Sequence, residues 1–400
     1  MVEECLLRLW LCRLGTAVKA LAGAHPVARF SPVLEIRKPG MPAPTTAYDA
    51  PMRRALELAL RGPAYGVNPQ VGAVLLDSNG NIVAEGWHMG AGTDHAEVAA
   101  LKNLAAKGLD AAGLTAVVTL EPCNHTGRTG PCAKALVEAG VSKVVYAATD
   151  PGDASAKGAD TLRAAGIDVV SGVLEAEAEA QARVWLTSAR LGRPFVTLKW
   201  AASLDGRSAA NDGTSKWISG PESREDSHRR RAEVDAILVG TATVLADDPQ
   251  LTARKADSTL YEHQPLRVIL GLTEISHDMR IFDNAAETVQ LKTHVIAEAL
   301  EQLWQRGVRH VWVEGGPKVA SEFVRARLVD EVLVYQAPLL LGGERCSLTD
   351  IGVATMQQAV PLKFVSAQVL GNDILIRALP NWAAAETSKP ALQDLQKGAN

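Results

Sequence analysis

The sequence predicts an α/β protein of two domains, and three observations support this prediction. The chain has 400 residues, more than one hydrophobic core usually serves. From Asp49 onward, short apolar strands alternate with helical segments, the order typical of α/β folds. A break at Gly192-Arg193-Pro194 separates two such series. We therefore predict a first domain over residues 48–192, a second over 193–380 and a flexible tail over 381–400.

The first 47 residues differ in composition from the rest of the chain. A Leu-rich start over residues 6–14 is interrupted by two arginines, and a Pro-rich stretch follows over 26–44. The apolar run is too short to span a bilayer, and it lacks the clean uncharged segment and cleavage site of a signal peptide. We interpret residues 1–47 as a disordered extension or the product of an upstream start, with Met41 or Met52 as the working start.

The predicted first domain opens with a helix and a β-hairpin. Asp49 is the expected N-cap of the helix, and Gly62-Pro63 ends it. Asn79-Gly80 is a turn dipeptide between two short apolar strands, over residues 71–76 and 82–88, which is the pattern of a hairpin. The apolar face of the helix is formed by Met52, Ala55, Leu56, Ala59 and Leu60.

The remaining predicted elements continue the alternation in both domains. In the first domain they are a helix over 95–106, a strand over 116–120, a helix over 131–139, a strand over 143–148, a further helix and strand, and an Ala-rich helix over 175–190. In the second domain they are strands over 195–200, 236–240, 267–270 and 311–314, a helix over 298–306, and closing segments over 330–341 and 363–379.

A candidate metal site lies in the first domain, where His95-Ala96-Glu97 is followed by Cys123 and Cys132. Zinc prefers tetrahedral nitrogen and thiolate ligands, and a catalytic zinc keeps one position open for water. His95, Cys123 and Cys132 supply three ligands, and the ligand groups fall at predicted helix N-termini, which favour thiolates. Glu97 is then placed to carry protons rather than to bind metal. This division of roles is the signature of zinc nucleobase deaminases.

Two alternative readings of these residues stay open. Eight residues separate the cysteines, whereas the generic signature has two. Cys123 and Cys132 can therefore also be buried small apolar residues, with His95 on the surface. A structural zinc site, closed by His125 as the fourth ligand, is the second alternative. The polar, cationic and Gly-rich insertion over residues 124–131 instead suits a loop that closes over an anionic substrate.

Charge and cysteine content indicate which class of substrate and which cellular compartment suit this chain. The net charge is −4 and the pI is about 6.2, and neither value suggests a nucleic-acid-binding surface, which normally shows as a basic patch or stripe. A small-molecule substrate is therefore favoured over a polynucleotide. The number of cysteines is odd and their spacing is not that of a disulfide framework, which predicts a reducing compartment such as the cytoplasm. The five cysteines are Cys5, Cys12, Cys123, Cys132 and Cys346.

A second chemical feature is the Gly315-Gly316-Pro317 turn, which follows the predicted strand over 311–314 and opens a helix. Two glycines let backbone amides approach a phosphate at a helix N-terminus, although a simple tight turn is the alternative. Trp217 can stack on a planar ring or lie in the core. Further polar or aromatic groups at strand ends and loops of this domain support a ligand site: Lys199, residues 203–207, residues 215–217 and residues 243–254.

From about residue 50 to 380, the chain resembles the bifunctional riboflavin-biosynthesis deaminase/reductase family, in which the wide cysteine spacing is usual. The resemblance implies an N-terminal cytidine-deaminase-like three-layer α/β/α domain and a C-terminal dihydrofolate-reductase-like α/β domain. Departures from the family pattern are Val67, Gly130 and the segment over 150–153. The motifs that carry the resemblance are Asn68-Pro69-Gln70-Val71-Gly72, His95-Ala96-Glu97, residues 119–123 with 127–129 and Cys132, residues 203–207, residues 215–218, Asp247-Asp248-Pro249 and Glu314-Gly315-Gly316.

The resemblance also implies site residues. Zinc binds to His95, Cys123 and Cys132, and Glu97 is the catalytic proton carrier. The implied NADPH contacts are Ala201, Trp217, Thr243, Asp247, Gly316, Pro317, Lys318, Val319, Ala320, Ser321 and Glu322. The implied substrate contacts are Ser215, Arg231, Leu251, Arg254 and Glu314. The two arginines suit a ribose phosphate, because a guanidinium binds phosphate through paired hydrogen bonds.

The implied reactions are hydrolytic loss of an exocyclic amine from a diaminopyrimidinone ribosylamine phosphate, then hydride reduction of the ribosyl chain to ribityl. The cofactors are Zn²⁺ and NADPH, and the choice of NADPH over NADH stays open. The expected partner is the small phosphorylated pyrimidine, with no nucleic acid and no membrane, in a cytoplasmic homo-oligomer. The competing enzyme is a cytidine-type or polynucleotide deaminase whose C-terminal half only oligomerises.

Overall fold

The computed structural model describes residues 33–34, 46–125, 130–152 and 156–383. Within these ranges, no helix is long and apolar enough to cross a membrane.

The elements before residue 192 are, in chain order, β1 (Val33–Leu34), α1 (Asp49–Ala59), β2 (Gly72–Leu76), β3 (Ile82–Trp87), α2 (Ala96–Ala106), β4 (Thr115–Leu120), α3 (Cys132–Glu138), β5 (Lys143–Ala148), α4 (Gly158–Ala164), β6 (Asp168–Ser171), α5 (Glu175–Gln181) and α6 (Arg183–Leu191).

Strands β2 to β6 form the small sheet, in the order β3-β2-β4-β5-β6. Strand β2 is antiparallel to β3 and β4, whereas β4, β5 and β6 run parallel. Alternate residues of β2 face opposite sides. Leu75 packs with α2, α3 and α4, and Val74 packs with α1, α5 and α6. The three-layer α/β/α arrangement is therefore confirmed.

The elements after residue 192 form a second, larger α/β unit. They are β7 (Phe195–Ser203), α7 (Pro221–Arg231), β8 (Ala236–Gly240), α8 (Thr241–Asp247), β9 (Leu266–Leu270), β10 (Thr288–Leu291), α9 (Ile296–Gln305), β11 (His310–Val313), α10 (Pro317–Arg325), β12 (Glu331–Ala337), β13 (Leu362–Leu370) and β14 (Asp373–Pro380). Two short 3₁₀ turns lie at Arg280–Phe282 and Met356–Gln358.

The large sheet has the order β1-β13-β14-β12-β7-β11-β8-β9-β10. Strands β12, β7, β11, β8, β9 and β10 run parallel to one another. Strands β14, β13 and β1 continue the sheet beyond β12 with antiparallel pairing. Both faces of the parallel part of the sheet are covered: Val313 packs with α9 and α10, and Trp312 packs with the cluster that contains Val244 of α8. Because β8 and β11 are neighbours, the helices that follow them, α8 and α10, begin side by side at one edge. Ligand sites of parallel sheets lie at this edge.

Three predicted details of the elements are wrong. Leu60 is exposed rather than part of the apolar face of α1. Tyr48 is the N-cap of α1, while the Asp49 carboxylate accepts hydrogen bonds from the Thr46 backbone and hydroxyl. The helix predicted over 175–190 is two helices separated at Ala182, although the continuous Ala-rich pattern indicated a single helix.

The predictions for the chain ends lie largely outside the described residues. Of residues 1–47, the structure describes residues 46 and 47 and the two residues of β1, whose backbone pairs antiparallel with β13 at Gln368 and Ala367. Of the predicted tail, residues 384–400 are outside the described ranges.

Candidate zinc site and cofactor cleft

The three predicted zinc ligands come from the ends of three elements. His95 is the N-cap of α2, Cys132 is the first residue of α3, and Cys123 follows the end of β4. The backbone N–H of Ala133 donates to the carbonyl oxygen of Cys123 at 3.1 Å. This bond joins the β4 end to the first turn of α3, and it brings the two cysteines together although eight residues separate them in the sequence.

The ligand atoms lie at the spacing that zinc requires. Nδ1 of His95 is 3.5 Å from Sγ of Cys123 and 3.3 Å from Sγ of Cys132. All three ligand atoms lie within 4.8 Å of one another. Tetrahedral Zn–N and Zn–S bonds of about 2.0 and 2.3 Å place nitrogen and sulfur about 3.5 Å apart. The donor set and its spacing therefore fit zinc.

The same cluster weighs against a closed, structural zinc site. Among the residues that the structure describes, the metal-binding group contains His95, Cys123 and Cys132, and His125 is not part of it. Three protein ligands leave the fourth tetrahedral position open, as in catalytic zinc sites. Glu97 is also outside the group, which suits a residue that carries protons.

The environment of Cys123 favours its thiolate form. The hydrogen bond with the Cys132 side chain holds the pKa of the Cys123 thiol well below its ordinary value. The backbone N–H of Cys132, in the first turn of α3, also points to Cys123 Sγ at 3.5 Å. Unpaired N–H groups at a helix N-terminus stabilise negative charge. Because the thiolate is the metal ligand, Cys123 is prepared to bind zinc.

Glu97 lies in the first turn of α2 and is only 4% exposed. Its burial raises the pKa of the carboxyl group to about 7, since the charged form loses hydration. A carboxyl group with such a pKa can both accept and donate a proton near neutral pH. Glu97 therefore combines a position two residues after a zinc ligand with a pKa that suits proton transfer.

His88 is a buried residue of this site that the sequence analysis did not assign. Its Nε2 lies 2.9 Å from Nδ2 of Asn68, and its Nδ1 lies 3.0 Å from the carbonyl oxygen of Asp94. Because the Asn68 amide donates to Nε2, the proton of the His88 ring lies on Nδ1, which donates to the Asp94 carbonyl oxygen. The ring meets the His95 ring edge-on, with centroids 5.3 Å apart. A single histidine at the end of a predicted strand does not indicate a place beside a zinc ligand, so the sequence alone could not identify His88.

A second charged cluster lies beyond the end of β11. Nε and Nη2 of Arg231 each donate to one oxygen of Glu314 at 2.7 Å, and Nη1 donates to the Thr252 carbonyl oxygen at 3.1 Å. Lys199, noted in the sequence but not assigned to the site, lies 3.7 Å from Glu314. Burial opposes ionisation of Glu314, but Arg231 and Lys199 outweigh it and hold its pKa below the usual range. The predicted substrate contacts Arg231 and Glu314 therefore pair with each other.

Arg254, in contrast, keeps a guanidinium group without a carboxylate partner among the described residues. Its Nη1 donates to Oε1 of Gln250 at 3.1 Å. Burial and the nearby charges of Arg231 and Arg280 lower the pKa of Arg254, which indicates a locally positive region. Such a region is suited to an anion such as a phosphate. The predicted contact Leu251 is buried in the adjoining apolar cluster.

Two predicted cofactor contacts meet where α8 and α10 begin. The backbone N–H of Gly316 donates to Oγ1 of Thr243 at 3.3 Å. A Cβ at Gly315 would lie 2.6 Å from the Val319 side chain, so glycine is required there by packing. At Gly316 the nearest atom would be Thr243 Oγ1 at 3.5 Å, an ordinary contact. The two helix N-termini therefore lie side by side, where a phosphate group can be bound.

Of the other predicted cofactor residues, Pro317 to Glu322 lie in α10, where Ala320 and Ser321 are buried, and the rest lie outside this helix. Ala201 packs at the large sheet, and Asp247 is exposed at the end of α8. Trp217 is 71% exposed, with the Arg224 guanidinium carbon 4.6 Å from its ring centroid, so the reading of Trp217 as a core residue is wrong. In the described part of the chain, Ser215 and Trp217 form no hydrogen bond with the other predicted residues.

The fold and the ligand geometry define a zinc-dependent deaminase domain joined to a second α/β domain. A family model described as cytidine and deoxycytidylate deaminase zinc-binding region matches residues 46–148. A model described as RibD C-terminal domain matches residues 194–376.

Relatives match this chain over most of their own length. Riboflavin biosynthesis protein RibD of Mycobacterium tuberculosis is 49% identical over 318 residues, covering 79% of this chain and 92% of that protein. The Escherichia coli protein of the same name is 38% identical over 360 residues, covering 81% and 97%. The structure of Acinetobacter baumannii RibD matches with a TM-score of 0.76 at 36% identity, covering 84% and 99%. This chain belongs to the RibD family of bifunctional riboflavin-biosynthesis enzymes, and its cofactors are Zn²⁺ and NADPH.

Proposed function

We propose that this chain deaminates a diaminopyrimidinone ribosylamine phosphate and then reduces the ribosyl chain of the product to ribityl. The deaminase domain spans residues 48–192 and the reductase domain spans residues 193–380. The observation that supports the proposal most strongly is the meeting of three zinc-ligand atoms beside buried Glu97, in a chain whose second half matches the RibD C-terminal domain. NADPH oxidation that requires prior deamination tests it.

In the deaminase site, His95, Cys123 and Cys132 hold the metal, which supplies Lewis-acid activation of water when bound. Glu97 accepts the proton released as water attacks the ring carbon, and it donates that proton to the exocyclic amine. The carbon–nitrogen bond then breaks and ammonia leaves. The raised pKa of Glu97, about 7, suits both transfers. Burial of the Glu97 side chain keeps competing bulk water away from the carboxyl group.

In the reductase site, NADPH supplies the hydride. The N–H groups at the start of α10, with the segment 316–322 and with Thr243, Asp247, Ala201 and Trp217, would bind the cofactor. Arg254 binds the ribose phosphate, with Ser215 and Leu251 beside it. Glu314 contacts the substrate while Arg231 and Lys199 hold its carboxylate ionised and in place.

Replacement of Arg254 tests the phosphate contact. Arg254→Ala is expected to raise the KM for the deaminated substrate by roughly ten- to hundredfold, because a charge-assisted contact contributes about 1.5–3 kcal/mol. The KM for NADPH is expected to stay nearly constant. Steady-state kinetics with each ligand varied in turn provide the measurement. Exposed Arg306, replaced by alanine, is the matched control. An unaltered substrate KM in Arg254→Ala would remove this assignment.

Replacement of Gly316 tests the cofactor site. The chain itself has room for a Cβ at this position, so Gly316→Val is expected to fold with an unchanged thermal transition. The valine would instead crowd the backbone approach to the cofactor and raise the KM for NADPH by about tenfold. Gly315→Val, which clashes with Val319, is expected to unfold at a lower temperature. If Gly316→Val left the NADPH KM unchanged, the cofactor would not approach this turn.

The proposal also covers the binding partner, the cellular compartment and the oligomeric state. The partner is the small phosphorylated pyrimidine rather than a nucleic acid or a membrane, in keeping with a net charge of −4. The enzyme works in the cytoplasm as a homo-oligomer. The reading of the second half as a mere oligomerisation domain is disfavoured by its match to the RibD C-terminal domain.

A further inference from the structure

The segment Tyr65–Asn68, here termed the bridging loop, connects the zinc site with the reductase domain. It lies between α1 and β2 of the deaminase domain. The N–H of Gly66 donates to Oδ1 of Asp235, a residue of the reductase domain. The Tyr65 ring stacks on His263, with centroids 3.4 Å apart and planes at 7°. One loop of the deaminase domain is therefore attached to the reductase domain at two successive residues.

The partners of the bridging loop are themselves firmly held. Asp235 immediately precedes β8, and its Oδ2 accepts the N–H groups of Arg309 and His310 at 2.8 Å each, where the neighbouring strand β11 begins. Nε2 of His263 lies 2.9 Å from the carbonyl oxygen of Val234. A carboxylate that accepts backbone N–H groups through both oxygens has a fixed orientation, so Oδ1 of Asp235 is aimed at Gly66.

The far end of the bridging loop reaches the zinc ligands. Asn68 hydrogen-bonds to Nε2 of His88, and the His88 ring contacts the His95 ring. Between Gly66 and Asn68, the Val67 carbonyl oxygen accepts the indole N–H of Trp185 at 3.0 Å. Because these loop residues are consecutive, a displacement of Gly66 also displaces the Asn68 amide.

We propose that Asp235, although it belongs to the reductase domain, is a positioning residue for deamination. It holds the bridging loop, and through Asn68 and His88 it sets the orientation of the His95 side of the zinc site. The proposal rests on the deaminase function given above. The deaminase reaction thus depends on the presence of the reductase domain through a specific hydrogen bond as well as through the covalent link between the domains.

Asp235→Asn in the full-length enzyme tests this proposal. The amide offers one acceptor oxygen, which the two N–H groups of β11 retain, so its NH₂ group faces the Gly66 N–H without an acceptor. The expected results are full zinc content, unchanged reductase kinetics with deaminated substrate, and a deaminase kcat/KM about tenfold lower. Hydrogen exchange of the Gly66 amide should accelerate, since its acceptor is lost. Asp350→Asn is the matched control, because Asp350 accepts the N–H of Gly352 at 2.7 Å in an exposed loop of the same domain.

A double-mutant cycle with Asn68→Ala separates positioning from general destabilisation. If Asp235 acts through Asn68, Asp235→Asn has little further effect on deamination once Asn68 is alanine. Multiplicative effects in the cycle or unchanged deamination in Asp235→Asn would overturn the proposal that Asp235 positions the zinc site. A failure of the deaminase assignment itself would appear separately, as absent deamination in the unmodified enzyme.

Discussion

Glu97→Gln is expected to lower the deaminase kcat by about 10²- to 10⁴-fold, the range typical of a lost general acid–base group. The amide has nearly the shape of the carboxyl group and fits the same buried position, but it cannot accept a proton from water and pass it to the leaving amine. Ammonia release per enzyme provides the measurement. Zinc content and NADPH oxidation with deaminated substrate should remain at the level of the unmodified enzyme.

Exposed Glu138 of α3 offers a matched control for this change. Glu138→Gln removes a carboxylate of the same domain without touching the zinc ligands, and its deaminase kcat should stay constant. Retained deaminase turnover in Glu97→Gln would show that another group carries the proton. Loss of zinc in the same variant would show that Glu97 binds metal, contrary to its proposed role.

Cys132→Ser is expected to lose nearly all bound zinc and, with it, the deaminase activity. A neutral hydroxyl is a far poorer zinc ligand than a thiolate, and the site has three protein ligands among the described residues, so the loss of one leaves two. Cys123→Ser should behave in the same way. Metal analysis of the purified variants provides the measurement, and reductase activity should survive in both.

Cys346 is the natural control for the cysteine substitutions. It is a free cysteine of the reductase domain, beside Arg207 and outside the zinc cluster. Cys346→Ser should therefore keep the zinc content and deaminase kinetics of the unmodified enzyme. Full zinc occupancy in Cys123→Ser or Cys132→Ser would mean that the ligand set is wrong.

The zinc cluster and the central strands could be predicted because their signals are local. Strands β5 and β8 begin and end at the predicted residues, since each is a largely apolar segment that the fold buries. The ligands His95 and Cys132 were expected at helix N-termini, and the structure places them at α2 and α3. In such cases one short segment contains both the residue type and the periodicity that determine the structure.

Helix α7 was missed because its sequence has no apolar periodicity. It begins with Pro221 at the first helical position, and it is anchored by Asp226, which accepts a hydrogen bond from the Tyr335 hydroxyl at 2.7 Å. Ser223 and Ser227 form its buried side. A helix held by polar contacts to distant strands lacks the hydrophobic stripe on which sequence-based assignment depends.

Contacts between distant residues were also beyond sequence reasoning. Gly66 and Asp235 are 169 positions apart, and neither residue type indicates the other. Likewise, the sequence suggested a phosphate partner for Arg231, whereas its guanidinium pairs with Glu314. A buried arginine requires an anionic partner, but the sequence does not specify which anion it meets. The direct contact of Arg231 with substrate stays a prediction.

The central claim is that one chain performs both reactions in sequence. The most direct test is a two-step assay on the purified full-length protein, combined with metal analysis of the same sample. We expect one zinc per chain, ammonia release from the diaminopyrimidinone ribosylamine phosphate, and NADPH oxidation that begins only once deaminated product has formed. Removal of zinc by a chelator should stop ammonia release and leave NADPH oxidation with deaminated substrate intact. Ammonia release without any NADPH oxidation, even with deaminated substrate supplied, would contradict the claim.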